Sequence, residues 1–253
     1  LPLSVRARHR LPPIGEALQH VHFHLPKTDL AALEQGVTSA HRRLAFEELF
    51  LLQAAMVLRQ REMKEELKSF RFNPHVAQLK QLAKILPFTL TSAQERVFRE
   101  IQADMVTSRP MNRLVQGDVG SGKTVVALHA LVMACGSGCQ TALMVPTEIL
   151  AEQHYLNLAP LLRAVGLKAV LLTSGGKAKD RNETLKQLES GVAQIAIGTH
   201  ALIQKKVRFA NLGLVIVDEQ HKFGVLQRKT LLEKGYRPAV LVMRATPIPR
   251  TLA

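Results

Sequence analysis

One glycine-rich stretch restricts what this chain can fold into more than any other feature. It reads Gly117-Asp118-Val119-Gly120-Ser121-Gly122-Lys123-Thr124 and fits the pattern G-x-x-x-x-G-K-[ST]. The apolar residues Leu114-Val115 precede it and a long apolar segment follows. Glycines let backbone N–H groups converge on phosphate oxygens, and a helix start adds partial positive charge. The pattern predicts a phosphate-binding loop in which Lys123 reaches the β- and γ-phosphates and Thr124 ligates magnesium.

From Thr91 onward, apolar segments alternate with amphipathic ones. We predict strands over 113–116, 140–145, 168–173, 192–197, 212–217 and 239–243, and helices over 91–108, 123–134, 148–165, 180–190 and 225–234. Alternating strands and helices form parallel sheets through crossover connections. The strands are mostly Val, Ile, Leu and Ala, which suits a sheet covered on both faces. The predicted fold class is therefore α/β, with a parallel sheet around the phosphate loop.

The first 75 residues lack this alternation and are predicted to be a separate, mainly helical segment before a nucleotide-binding domain at 76–253. We predict irregular structure up to about residue 40, an amphipathic helix over 39–72, and a short helix between Pro74 and Pro87. The breakers of the irregular part are Pro12, Pro13 and Pro26. His20, His22 and His24 are predicted to share one face of an extended stretch, where a solvated face is favoured over a metal site.

The net charge indicates the class of binding partner, and the two cysteines bear on metal binding and on the cellular compartment. The net charge of +14 favours a polyanion, and nucleic acid before a membrane. No apolar run is long enough to predict a membrane span. Cys135 and Cys139 have only His129 nearby, so two thiols near a helix end are favoured over a zinc site, and the cytoplasm is the expected compartment.

The apolar segment Leu214–Val217 ends in two carboxylates, Asp218 and Glu219. Carboxylates at the carboxyl end of a parallel strand face the ligand crevice. Asp218 is predicted to hold magnesium, directly or through water, and Glu219 to orient and deprotonate the attacking water.

Three further stretches are candidates for ligand contact. Phe88 and Gln94 precede the phosphate loop by one helix. An aromatic ring can stack on adenine, and an amide can pair with the edge of the base. The alternative is that Thr91 is a helix N-cap and Phe88 a core residue, and these structural roles are compatible with the adenine contacts. Pro146-Thr147-Glu148 and Gly198-Thr199-His200 each follow a strand, where exposed N–H groups can grip a nucleic-acid backbone. Taken singly, both would be ordinary helix caps.

Together these motifs resemble the first motor lobe of superfamily 2 helicases, and among them the RecG family of bacterial ATP-dependent DNA helicases. Four strings carry the resemblance along with the phosphate loop: Pro110-Met111-Asn112-Arg113-Leu114-Val115-Gln116, Pro146-Thr147-Glu148-Ile149-Leu150-Ala151-Glu152-Gln153-His154, Gly198-Thr199-His200-Ala201-Leu202-Ile203-Gln204 and Ala245-Thr246-Pro247-Ile248-Pro249-Arg250-Thr251-Leu252-Ala253. Gln220 in the Asp218-Glu219-Gln220-His221 box, and the helix around Arg43–Leu49, favour this family over the similar lobe of transcription-repair coupling factors.

The resemblance implies a RecA-like lobe of a helicase that remodels stalled forks and Holliday junctions in recombination and repair. It assigns ATP binding to Phe88, Gln94 and the loop residues Gly117, Asp118, Gly120, Ser121, Gly122, Lys123 and Thr124. It assigns catalysis to Lys123, Asp218, Glu219, Gln220 and His221, magnesium to Thr124 and Asp218, and coupling to Thr246 and Arg250. Pro146, Thr147, Gly198, Thr199 and His200 would contact DNA. A nucleoid-associated, cytoplasmic, monomeric bacterial protein is expected, with ATP and Mg²⁺ as cofactors and branched DNA as partner.

Two positions depart from the family pattern. Arg244 stands where the family has Thr, and Lys222 where it has Arg. A permanent cation at 244, near the magnesium and phosphates, predicts weaker coupling of hydrolysis to movement. The family's wedge domain would precede residue 1, and its second lobe with an arginine finger would follow Ala253. The chain alone is thus expected to bind nucleotide and hydrolyse it poorly.

Two other classes of protein stay open. A non-catalytic nucleic-acid-binding module could keep a motor fold, as Arg244 hints, but retention of Lys123, Thr124, Asp218 and Glu219 argues against decay. An unrelated phosphate-loop enzyme, such as a small-molecule kinase, would need neither the Gln94 segment nor the carboxylate box. Hydrolysis that rises with DNA and falls with salt separates the helicase from both.

Overall fold

A computed structural model of the chain describes residues 1–23, 30–65, 70–175, 178–219 and 230–245. The chain divides into two compact units, Leu1–Glu65 and Glu66–Ala253. This boundary precedes the predicted one after residue 75, because Phe72 is buried in the core of the second unit. None of the helices among the described residues is both long and apolar enough to cross a lipid bilayer.

The first unit is helical almost from its start, so the predicted irregular structure over residues 1 to about 40 is wrong. Its helices are α1 (Leu3–His9), α2 (Ile14–His22), α3 (Leu30–Glu34) and α4 (Ser39–Glu65). Pro13 caps α2 instead of breaking it, because proline needs no N–H at a helix start and its φ is already suitable. His20 and His22 therefore lie on a helix and not on an extended stretch, and His24 lies outside the described residues.

Helix α4 is held to the segment before α2 by a buried arginine. The Arg43 guanidinium donates to the Pro12 carbonyl (3.0 Å) and to the Glu47 carboxylate one turn along (2.6 Å). The bond from Arg43 lowers the pKa of the Glu47 carboxyl. The helix predicted over 39–72 is confirmed as far as Glu65, but residues 70–72 are not helical. Part of its predicted apolar face is not packed within the first unit, because Leu49, Leu52 and Met56 are exposed.

The second unit contains the predicted parallel sheet. After α5 (Ala77–Ile85) and α6 (Ser92–Val106), the elements are β1 (Asn112–Gln116), α7 (Lys123–Gly136), β2 (Gln140–Met144), α8 (Glu148–Ala164), β3 (Ala169–Leu172), α9 (Ala178–Glu189), β4 (Ile195–Gly198), a 3₁₀ helix (His200–Ile203), β5 (Leu212–Asp218) and β6 (Ala239–Arg244). All strands pair in parallel, in the order β1-β6-β5-β2-β4-β3. The predicted helix over 225–234 falls mostly outside the described residues.

The inner strands β2, β4 and β5 are buried on both faces of the sheet, which explains why they are mostly apolar, whereas the edge strand β1 is largely exposed. Successive residues point to opposite faces: Ile195 and Ile197 belong to one core, and Ala196 to the other. Helices α5 to α8 supply the first core, while α9, the 3₁₀ helix and Leu231 supply the second. Helix α7, directly after the phosphate loop, is buried from Val126 to Cys135 and so lies at the centre of the unit.

The two cysteines are part of this core. Cys135 and Cys139 are both buried, and burial raises the pKa of the Cys135 thiol to about 12. Such a thiol carries no thiolate at neutral pH, as expected for a structural cysteine. Within the described ranges, no three His, Cys, Asp or Glu side chains approach closely enough to hold a metal ion.

A buried histidine makes the stability of the second unit dependent on pH. His129 on α7 lies 5.0 Å from the Phe98 ring of α6, between ring centroids, and its Nδ1 donates to the Val125 carbonyl (2.8 Å). Burial lowers the pKa of His129 below 6.5. As the pH falls through 6.5 the unfolded chain takes up this proton first, so the free energy of unfolding decreases.

We therefore expect a His129→Leu variant to lose less stability than the unaltered chain when the pH falls from about 7.5 to about 5.5. Urea midpoints measured across this range check the prediction. The exposed His75→Leu is the matched control and should follow the unaltered chain. Equal losses in the His129→Leu variant and the unaltered chain would contradict the assignment.

Candidate nucleotide-binding site

The phosphate loop connects β1 to α7 at the carboxyl edge of the sheet. Gly117 N donates to the Arg244 carbonyl at the end of β6 (3.2 Å), so the loop starts beside that strand. Gly120 and Gly122 both have φ of +82°, a left-handed conformation that glycine adopts without strain. Gly122 is also the N-cap of α7. The second fixed glycine of the sequence pattern, Gly122, thus has a direct conformational cause, as does Gly120 at a position that the pattern leaves open.

The loop has the shape and donors that nucleotide phosphates require. A Cβ at position 117 would lie 2.8 Å from Ser121 Oγ, and one at 122 would lie 2.2 Å from Gln94 Nε2. At both positions the nearest atom is the end of a side chain, so a Cβ would displace the Ser121 hydroxyl or the Gln94 amide from its place at the loop. Lys123 Nζ donates to the carbonyls of Gly117 (2.6 Å) and Asp118 (2.8 Å), so its ammonium already lies over the loop. Binding of a phosphate would exchange these carbonyls for phosphate oxygens.

Gln94 links the start of α6 to the phosphate loop. Its Oε1 accepts from Thr91 N (3.0 Å), Thr91 Oγ1 accepts from Gln94 N (3.3 Å), and Gln94 Nε2 donates to the Ser121 carbonyl (3.0 Å). The first two bonds are a capping box, which confirms the predicted helix start at Thr91. The Phe88 side chain is 49% exposed and can stack on a base. The adenine roles of Phe88 and Gln94 stay predictions.

Asp218 and Glu219 lie at the carboxyl end of β5, which pairs with β6 on one side and β2 on the other. Since β6 also borders β1, the carboxylates and the phosphate loop share one edge of the sheet. Asp218 Oδ1 accepts from Glu219 N (3.0 Å), and Glu219 has a left-handed φ of +52°. A carboxylate and the Thr124 hydroxyl are hard oxygen ligands of the kind that magnesium prefers beside phosphates, so the residues present fit this ion.

His154 is a neighbour of Asp218 that the sequence analysis did not single out. Its Nε2 lies 3.3 Å from Asp218 Oδ2. It lies on α8, the helix that begins after Thr147. No local pattern identifies such a pair, because the two residues come from different crossover units.

The loops after β2, β3 and β4 form a hydrogen-bonded group. Glu148 Oε1 accepts from the backbone N–H groups of Ser174 (2.8 Å) and Gly175 (3.2 Å), and Ser174 Oγ lies 3.0 Å from His200 Nε2. The predicted DNA-contact residues at Thr147 and His200 are both exposed. Glu148 and Ser174 belong to the same group of loops and were not predicted as site residues.

The remaining predicted contacts differ in exposure. Pro146 is half-buried, while Gly198 and Thr199 are buried. Thr199 is 1% exposed, and among the described residues its hydroxyl has no hydrogen-bond partner. A phosphate that reached this loop would thus meet His200 before Thr199. Gln220, His221, Lys222, Thr246 and Arg250 lie outside the described residues.

Comparisons with known proteins agree on one family. Residues 91–253 match a model of the DEAD/DEAH box helicases. Over its whole length the chain is 49% identical to the ATP-dependent DNA helicase RecG of Bacillus subtilis, covering 36% of that protein. It is 47% identical to RecG of Synechocystis sp., again over its whole length, covering 30% of that protein.

Solved structures give the same result. The whole chain aligns with the structure of RecG bound to a three-way DNA junction, with a TM-score of 0.79 and 42% identity. The alignment covers 33% of the RecG chain. The structure of the helicase MrfA bound to DNA and AMPPNP aligns with 73% of this chain, with a TM-score of 0.53 and 18% identity, and the alignment covers 28% of the MrfA chain. At this identity the likeness shows a shared fold alone. The chain spans about a third of the length of the curated relatives it matches.

Proposed function

Because the chain belongs to the DEAD/DEAH box helicases, we propose that it is the nucleotide-binding lobe of an ATP-dependent DNA helicase that acts on branched DNA. The observation that carries the proposal is the shared sheet edge, where the phosphate loop follows β1 and the Asp218-Glu219 pair ends β5, with only β6 between these two strands. The RecG relatives are named as ATP-dependent DNA helicases, and one was solved on a three-way junction. A role in recombination and repair is part of the proposal and rests on the resemblance of the motifs to the RecG family.

The chemistry assigned to the site is phosphoryl transfer to water. Lys123 and the N–H groups at the start of α7 would hold the β- and γ-phosphates. Thr124 and Asp218 would hold magnesium, which neutralises phosphate charge when bound. Glu219 would orient the attacking water and accept its proton. Gln220, His221, Thr246 and Arg250 are proposed to couple the nucleotide state to DNA movement.

DNA is proposed to bind across the loops after β2, β3 and β4. Thr147, Ser174 and His200 are exposed there, and the hydrogen bonds through Glu148 and Ser174 hold the three loops together. Donors on neighbouring loops suit a sugar-phosphate backbone, which is contacted without regard to base sequence. The net charge of +14 favours the approach of such a polyanion.

The test is ATP hydrolysis by the full-length protein with and without a three-way DNA junction. We expect the junction to raise the rate more than a linear duplex of equal length does. The junction concentration for half-maximal stimulation should rise with salt, with a logarithmic slope of about 2 to 3 if two or three phosphates are contacted. If DNA does not change the rate of ATP hydrolysis at any salt concentration, a non-catalytic module or an unrelated phosphate-loop enzyme would be favoured.

A further inference from the structure

His154 and Asp218 form a contact that none of the assigned roles explains. The two side chains are only 11% and 15% exposed, and His154 Nε2 lies 3.3 Å from Asp218 Oδ2. A carboxylate oxygen accepts, so the imidazole must carry its hydrogen on Nε2 and donate it. We propose that His154 is a positioning residue that holds Asp218 in the orientation needed for magnesium, an inference that rests on the proposed nucleotide site.

The hydrogen bonds of Asp218 show what the contact does. Glu219 N donates to Oδ1 and His154 donates to Oδ2, so each carboxylate oxygen has one donor among the residues that the structure describes. Two donors on opposite oxygens fix both side-chain torsions, and each oxygen keeps a further lone pair for a cation or its water. The donor on Oδ1 belongs to the next residue in the chain, so this hydrogen bond is local to the end of β5. The donor on Oδ2 comes from another element, so within the described part of the chain His154 is the side chain that anchors the carboxylate to α8.

Helix α8 is a firm support for this donor. It starts at a capped Thr147, where Thr147 Oγ1 accepts from Leu150 N (3.3 Å). Its residues Ala151, Leu158 and Leu162 are buried in the core that lies against the sheet. A histidine on the helix turn between these anchors has a fixed backbone position. Residues that hydrogen-bond to a metal ligand in this way typically change metal affinity by about 10- to 100-fold when removed.

The test is ADP binding by this chain, measured calorimetrically over a range of magnesium concentrations and in EDTA. We expect His154→Ala to raise the magnesium concentration that gives half-maximal enhancement of ADP affinity by about 10-fold or more. ADP affinity in EDTA should stay within about twofold of the unaltered chain, because the phosphate loop is untouched. Gln153→Ala, at the exposed neighbouring position on α8, is the matched control and should leave both values unchanged.

Rescue separates positioning from packing. The Nε2 amide of a glutamine can take the place of imidazole Nε2, so His154→Gln should restore the magnesium dependence to within about threefold. His154→Asn, one methylene shorter, should not. If the alanine variant fails to fold, the Gln and Asn pair decides the result alone. An unchanged magnesium dependence in the Ala or Asn variants, or equal losses in the Gln and Asn variants, would overturn the inference.

Failure of the proposed function gives a different result. If the unaltered chain binds no ADP at any magnesium concentration, the nucleotide site itself is wrong and the role of His154 falls with it. If ADP binds equally well with magnesium and with EDTA, the nucleotide site stands and only the role of His154 is overturned.

Discussion

The Lys123→Ala variant is expected to lose the rise in unfolding midpoint that Mg-ADP gives to the unaltered chain. A ligand that binds only the folded state stabilises it by about 2.7 kcal/mol at a concentration a hundred times its Kd. For a unit of this size that is a rise of about 5–10 °C. The Lys123 ammonium lies within 2.8 Å of two loop carbonyls, at the place where phosphate oxygens would be bound. Its removal leaves the phosphate charge without a cation in the loop.

The matched control for Lys123→Ala removes a lysine that lies away from the phosphate loop. Lys168 is exposed and precedes β3, at the amino edge of the sheet, opposite the phosphate loop. Lys168→Ala should therefore keep the full rise with Mg-ADP. Thermal unfolding of the three proteins, each with and without Mg-ADP, measures both effects. A rise in the Lys123→Ala variant as large as in the unaltered chain would show that the nucleotide does not bind at this loop.

The sequence was sufficient where local pattern and tertiary position coincide. In the second unit every predicted strand exists. The inner strands β2, β4 and β5 are buried on both faces and therefore mostly apolar, which made them recognisable in the sequence. The boundaries shift where backbone hydrogen bonds extend a neighbouring element. The strand predicted from Val192 begins at Ile195, since Ala193 N donates back to the Gln187 carbonyl at the end of α9. The phosphate loop was predictable because its glycines and its lysine are close together in the chain, within residues 117–123.

The sequence was insufficient where the outcome depends on contacts between distant segments. Prolines suggested breaks before residue 40, yet Pro13 starts a helix whose Ala17 is buried. Within the site, the bonds His154–Asp218, Glu148–Ser174 and Gln94–Ser121 join residues that are 64, 26 and 27 positions apart in the chain. Which of these distant side chains meet depends on strand order and register, and β2 neighbours β4 and β5 although β3 follows it in the chain.

The Gly198→Ala variant is expected to destabilise the second unit by about 3 kcal/mol or more, as overpacking of a close-packed core does. A Cβ at position 198 would lie 2.1 Å from the Leu172 carbonyl oxygen and 3.2 Å from Leu202 Cγ. Leu172 is the register partner of Gly198 on the adjacent strand β3. Because the obstacle is backbone and not the end of a side chain, relief requires the two strands to separate. The 3₁₀ helix that carries His200 follows directly, so its position would shift as well.

Urea unfolding at constant pH measures this effect as a lower midpoint, and thermal unfolding as a loss of about 6–12 °C. Gly15→Ala is the matched control: nothing lies within 4 Å of its Cβ, and Gly15 is inside α2, where alanine stabilises a helix relative to glycine. The control should therefore unfold no earlier than the unaltered chain. A Gly198→Ala protein as stable as the control would mean that β3 and β4 do not approach as closely as the register Leu172–Gly198 requires. The arrangement of the loops proposed to contact DNA would then need to be revised.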